Sequence, residues 1–190
     1  MLSIMGRLLS SGLAAMINSG KRFEQNFRDS FNNSETLVER MNDSSGAWQP
    51  VIKCPKCETK VFRTSRFQSK SKPDFFVYYK KRLFILELKS HKGVSIPLNA
   101  IKDHQIDYLN SRAKYHGVIC GLIVNFSDLE ETFFIEISVF NEFIKDYSRK
   151  SIPVDYFREA GVLIKFYKKV SNYKYDVYGM MNDVIYRDFL

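Results

Sequence analysis

Two short apolar runs, Phe75–Tyr79 and Arg82–Leu88, are separated by only Lys80-Lys81, and this spacing constrains the chain more than any other feature. Runs of this length, rich in Phe, Tyr, Ile and Leu, predict two strands of a hairpin. Both faces of the pair are apolar, which predicts a sheet covered by helices on both sides. A tight connection through Lys80-Lys81 pairs Tyr79 with Arg82. Counting back along the ladder then sets Asp74 opposite Glu87. A three-residue loop would slip that register by one, and Lys-Lys is not the Asn-Gly pair that a two-residue hairpin prefers.

Like charges facing each other across a ladder are destabilising, so Asp74 and Glu87 together call for a cation. Side chains alternate along a strand, so Lys89 shares a face with Glu87. Two carboxylates and an ammonium in that arrangement are suited to holding Mg²⁺ against a phosphate and orienting a water. An ordinary strand pair with solvated charges would carry the same residues.

The chain has 190 residues, enough for one domain with a proper core. Net charge is +8, with basic residues gathered at Lys70–Lys92 and again at Lys165, Lys168 and Lys169. Sixteen Phe and eleven Tyr accompany that charge, and a basic, aromatic-rich domain leans towards a polyanionic partner. No stretch reaches the roughly 18 apolar residues needed to cross a bilayer, so no span is expected. A membrane-surface protein using the basic charge is a rival reading with no amphipathic anchor in its favour, and no membrane partner is expected. Residues 1–18 read as a loose N-terminal arm. Three cysteines, two of them in Cys54-Pro55-Lys56-Cys57, suit a reducing cytoplasm better than a disulfide framework.

Periodicity predicts a helix from Gly20 to Arg40 with a Phe23, Phe27, Phe31 stripe, and a β-ribbon of Gln49–Lys53 with Lys60–Phe67 around the cysteine pair. His91–Ile96 reads as a loop, and Pro97 as the opening of a helix from Leu98 to Tyr115 closed by Gly117. Val118–Phe126 and Thr132–Ser138 read as strands and Val139–Tyr147 as a short helix. A helical turn from Ile152-Pro153 to Gly161, a strand at Val162–Phe166 and a tail with a strand and a helix complete the chain. The predicted class is α/β, a mixed central sheet flanked by helices. An Asp and an ExK on adjacent strands of such a sheet form the restriction-endonuclease architecture.

In this order the residues resemble the RecU-type Holliday-junction resolvases of Gram-positive bacteria and their phages. The resemblance runs from about Gly20 to Tyr178. It rests on Gly20-Lys21-Arg22-Phe23-Glu24, Pro73-Asp74-Phe75, Glu87-Leu88-Lys89-Ser90, Pro97-Leu98 with His104-Gln105, Cys120–Ser127, Ser151-Ile152-Pro153 and Tyr175-Asp176-Val177. It implies a homodimeric nuclease acting on four-way or branched DNA in the bacterial or host cytoplasm. Asp74 and Glu87 would ligate Mg²⁺ or Mn²⁺, and Lys89 would sit beside the attacking water or scissile phosphate. Glu24 would stand at the metal edge, although Glu24 with Arg28 also makes an ordinary helical ion pair. Gln105 would orient a water or a phosphate oxygen.

The chain departs from the family between Trp48 and Lys72 (residues 48–72), where the relatives carry a protruding β-stalk. The segment here is short and centred on Cys54 and Cys57. A zinc-ligand pair shared across a dimer, a redox-sensitive thiol pair and a plain turn all stay open, since tetrahedral zinc needs four ligands. Arg63, Arg66, Lys70 and Lys72 give this ribbon a basic lining, and Lys80 and Lys81 extend the basic region to the hairpin turn. A relative of the same architecture acting on linear or forked DNA, or a non-catalytic DNA-binding scaffold, are the alternative functions.

Overall fold

The computed structural model describes residues 20–32, 34, 36–41, 52–53, 60–61, 72–145, 149–169 and 172–187. Helix α1 covers 20–28. It is followed by strands β1 (Leu37–Arg40), β2 (Ile52–Lys53), β3 (Lys60–Val61), β4 (Phe75–Tyr79), β5 (Arg82–His91) and β6 (Ser95–Pro97). A 3₁₀ turn (Leu98–Ala100) precedes α2 (Asp103–Arg112), and β7 (Val118–Phe126), β8 (Glu131–Glu136) and α3 (Ile137–Ile144) follow. The chain continues through β9 (Ser151–Pro153), α4 (Val154–Ala160), β10 (Val162–Leu163), β11 (Phe166–Lys168), β12 (Tyr173–Tyr175) and α5 (Val177–Arg187).

Six strands form the central sheet in the order β1-β4-β5-β7-β8-β10. Only the β5–β7 pairing is parallel, and it needs the crossover through β6 and α2 that lies between them. The β4–β5 hairpin has the predicted register, with Tyr79 against Arg82 and Phe75 against Leu86. Lys80 and Lys81 both take positive φ, 45° and 61°. These are the dihedrals of the hairpin turn that matches strand twist, here adopted without its usual Asn-Gly. Two turn residues fix the register, and the register places the acidic residues.

Each face of the sheet carries its own core. On one, Phe23 and Phe27 of α1 and Met180, Met181 and Val184 of α5 pack over Phe75, Phe84, Leu86 and Ile123. On the other, Leu109 of α2, Phe140 and Phe143 of α3 and Phe157 of α4 cover Ile85, Leu122, Val124 and Ile135. The structure is thus the mixed sheet flanked by helices that the hairpin predicts, with the restriction-endonuclease arrangement of Asp74 and Glu87-Leu88-Lys89 on adjacent strands.

Gly121 sits where β7 passes β8. A Cβ there would meet the Ile135 carbonyl oxygen and the Phe134 ring, both at 2.4 Å. A backbone oxygen in the middle of a sheet has nowhere to go. Gly121→Ala is expected to destabilise the protein by about 3 kcal/mol, a fall in Tm of roughly 10 °C. Thermal melting followed by circular dichroism measures it.

Four expected elements differ, one of them the strand at Val162–Phe166, which is split into β10, paired with β8, and β11, paired with β12. The first helix ends near residue 28, and Leu37–Arg40 pairs with β4 as an edge strand instead of continuing the helix. The turn between them is built by polar contacts that compete with helix formation. The Tyr178 hydroxyl accepts the Asn32 N–H (2.8 Å) and donates to the Asn32 carbonyl (2.9 Å), while Thr36 Oγ1 donates to that same carbonyl. The loop expected at His91–Ile96 is shortened, because β5 runs on to His91 beside Phe126 and Ser95–Pro97 pairs with Ser151–Pro153. The helix expected from Leu98 is broken at Ile101, where the backbone is extended, and restarts at Asp103. The β2–β3 ribbon pairs as expected, Ile52 with Val61 and Lys53 with Lys60. Cys54 and Cys57 lie outside the described residues, as do Arg63, Arg66, Lys70 and residues 1–18.

Candidate active site

Asp74 stands one residue before β4 and Glu87 lies in β5, so the hairpin register brings the two carboxyl groups together. Glu87 is buried, 2% exposed. Its Oε1 accepts from Lys89 Nζ at 2.8 Å and from Gln105 Nε2. Asp74 Oδ2 accepts the Leu88 backbone N–H at 2.7 Å, which fixes the aspartate against the strand that carries Glu87. The pause in the chain at Ile101-Lys102 is what delivers Gln105. As the third residue of α2, its Oε1 accepts the Lys102 N–H at 3.1 Å while its Nε2 reaches Glu87. One amide therefore caps the helix and holds the carboxylate.

Burial, and then the charge of Glu87, raise the Asp74 carboxyl from its ordinary 3.8 to about 7. The Leu88 N–H and the Lys89 ammonium oppose that rise, and Glu24 adds to it. Folding without a cation therefore favours a proton on Asp74. Native Asp74 keeps its proton up to about pH 7, whereas an unfolded aspartate loses it near 3.8. Between those values the native state binds more protons, so the group's contribution to stability is lost as pH rises through that window. Asp74→Asn is expected to stabilise metal-free protein at pH 8 by on the order of 2 kcal/mol, seen as a higher Tm, and to change stability little at pH 4. Paired melting curves across that range measure the difference.

Glu24 lies close enough to act on Asp74, and its partner is Arg40 on β1. That ion pair joins α1 to the sheet edge beside the site. Nothing in local spacing announces it, since the two residues are 16 apart and the sequence predicts both in one helix. The structure therefore brings together Asp74, Glu87, Lys89 and Gln105, with Glu24 beside them. Lys72 is exposed two residues before Asp74. Lys80 and Lys81 are not part of this group. They turn the hairpin at its other end, six residues from Asp74, or roughly 20 Å at strand rise. Lys80 there donates to Asn182 Oδ1 at 2.7 Å and lies over the Tyr79 ring. Tyr79 beside them is core, only 8% exposed. Cys120 is also core, and burial pushes its thiol up to about 12, so it is inert packing.

The donor set fits a hard divalent cation. Two carboxylates crowd one pocket, and their mutual repulsion would be relieved by a positive ion. Among the described residues no three His, Cys, Asp or Glu side chains close into a cage. Mg²⁺ keeps several waters and binds through one or two carboxylates, and Asp74 and Glu87 are two such groups.

Comparison with known proteins follows this geometry. The model of the family described as recombination protein U matches residues 47–175, well over half of the chain and the whole hairpin. The chain belongs to the RecU family. Over 186 residues it is 27% identical to the SPbeta prophage-derived uncharacterized protein YotM of Bacillus subtilis (strain 168), covering 90% of this chain and 89% of that one. It is 30% identical over 119 residues to the Holliday junction resolvase RecU of Staphylococcus aureus (strain JH9). That match covers 60% of this chain and 57% of the resolvase. A solved structure of Hjc, a Holliday junction resolvase from Archaeoglobus fulgidus, aligns with 76% of this chain and 95% of its own at 14% identity and a TM-score of 0.47. The RecU match begins just before the β2–β3 ribbon, so α1 and Glu24 lie outside it.

Proposed function

We propose that this RecU-family chain is a divalent-metal-dependent endonuclease that resolves Holliday junctions and related branched DNA, acting as a cytoplasmic homodimer. The observation that carries this reading is the Asp74–Glu87 pair, held on one hairpin with Lys89 on the same face. Asp74 and Glu87 would hold Mg²⁺ or Mn²⁺, with Glu24 at the edge. Such an ion, when bound, supplies Lewis acidity at a phosphoryl oxygen and lowers the pKa of water.

The protein's own residues do the rest. The Leu88 N–H fixes the Asp74 carboxylate, and Gln105 fixes that of Glu87. Lys89 holds an ammonium beside Glu87 Oε1, where it neutralises charge as it develops on a phosphate in the transition state. The basic Lys72, with Arg63, Arg66 and Lys70 before it in sequence, would track the backbone of the substrate. Two protomers would set two such sites against the two-fold symmetry of a junction.

Metal dependence is the direct test. Cleavage of a four-way junction is expected in Mg²⁺ or Mn²⁺, with loss on adding EDTA and return on adding excess metal. Activity that persists in EDTA would refute the metal role. The Cys54–Cys57 pair is tested by elemental analysis: about half an equivalent of zinc per chain would mark a four-cysteine site shared by two protomers, and none would leave a turn or a redox pair.

A further inference from the structure

We propose that the β11–β12 hairpin is a second nucleic-acid contact surface, which grips the phosphate backbone of DNA whose scissile strand lies at Asp74 and Glu87. The inference rests on the proposed nuclease function and extends it to a face of the protein that the two carboxylates do not occupy.

The register of the hairpin sorts its side chains. Phe166 pairs with Tyr175, Tyr167 with Lys174 and Lys168 with Tyr173. Phe166, Tyr173 and Tyr175 make ring contacts with centroids 5.2 to 6.4 Å apart and join the core under α1 and α5. Alternation then turns Tyr167 and Lys174 outward. Tyr167 is 71% exposed, and Lys165, Lys169 and Lys174 are exposed around it. Lys174 on the paired residues and Lys165 and Lys169 at their ends make a basic patch around an exposed ring, the electrostatic footprint of a polyanion contact.

The platform is anchored. Glu130, in the β7–β8 turn, accepts from Lys168 Nζ at 2.7 Å and from the Tyr173 hydroxyl at 3.0 Å. That acid and Lys168 neutralise each other. The Asp176 carboxylate is turned away into a helix cap, accepting the Gly179 N–H at 2.9 Å. Lys165, Lys169 and Lys174 supply the remaining field.

Position completes the case. A cleft of about 460 Å³ is lined by Phe166 and Tyr173 of the hairpin, by Ser90 and Asn125 near the ends of β5 and β7, and by Arg22 of α1 and Glu130. Ser90 directly follows Lys89. The cleft and the carboxylates therefore share one end of the sheet, on opposite faces.

The test is binding of a four-way junction in EDTA, where no cleavage is expected, as a function of salt. Three counterion-releasing contacts contribute a slope of roughly 2 to 3 in log K against log salt. Lys165→Gln, Lys169→Gln and Lys174→Gln together are expected to flatten the slope by that amount and to weaken binding by about 10- to 100-fold at 0.1 M salt. The three corresponding Arg substitutions are expected to keep both. The lysines are exposed, so both variants should melt with the wild type. Wild-type slope and affinity in the Gln variant would overturn the proposal, as would wild-type protein that sediments with phosphatidylserine vesicles and ignores the junction. Loss of binding in the Gln variant of a wild type that binds but never cleaves would uphold the surface and reject the nuclease function.

Discussion

Glu87→Gln is expected to reduce junction cleavage by at least about 1,000-fold, equivalent to roughly 4 kcal/mol of transition-state stabilisation. The substitution keeps the volume of a side chain that is 2% exposed and embedded between β5 and α2. It removes one of the two carboxylate charges that would hold a cation on the proposed reading. An amide also presents a donor to Gln105 and Lys89, both of which already donate to this position. Metal binding, followed by calorimetry with Mn²⁺, should fall with activity. Junction binding in EDTA should stay within a few-fold of wild type, because removing negative charge from the site does not weaken its hold on phosphate. Full activity in Glu87→Gln would remove this residue from the chemistry.

Lys89→Ala separates a second role from the first. Its ammonium lies 2.8 Å from Glu87 Oε1 and is 19% exposed, so it faces both the carboxylate and the approach to the site. Loss of a preorganised donor to a developing oxyanion typically lowers kcat by about 100- to 1,000-fold, and that range is expected here. Metal affinity should hold or rise, since an ammonium no longer opposes the ion. If Lys89 only balanced the charge of Glu87, kcat at saturating metal would be unchanged. Lys89→Arg keeps the charge on a larger, planar head and should recover only part of the loss.

The sequence-based expectations succeed where short-range geometry decides and fail where distant residues do. The Asp74–Glu87 register follows from a two-residue turn and period-2 alternation, both visible within 16 residues. The strand at Val118–Phe126 is legible because an apolar run of nine ends at a glycine with positive φ, Gly117. The end of α1 is not legible, because Tyr178, 146 residues away, organises the turn at Asn32. The restart of α2 belongs to the same class. It depends on Gln105 serving the Lys102 N–H and Glu87 at once, a tertiary contact with no periodic signal. For the same reason Gln105, expected to orient a water or phosphate, holds a carboxylate in place. The Glu24–Arg40 pair was hidden by the overlong helix that contained both. The basic cluster at Lys165–Lys169 was visible as composition, but only strand pairing with Tyr173–Tyr175 shows which of its side chains face out.

The most direct measurement is cleavage of a mobile four-way junction in Mg²⁺, with wild type and Asp74→Asn side by side and linear duplex and a fork as comparison substrates. Paired nicks at symmetric positions on opposed strands, present in wild type and absent in Asp74→Asn, are the predicted result. Equal cleavage by both proteins, or digestion of linear duplex with the junction left intact, would contradict it.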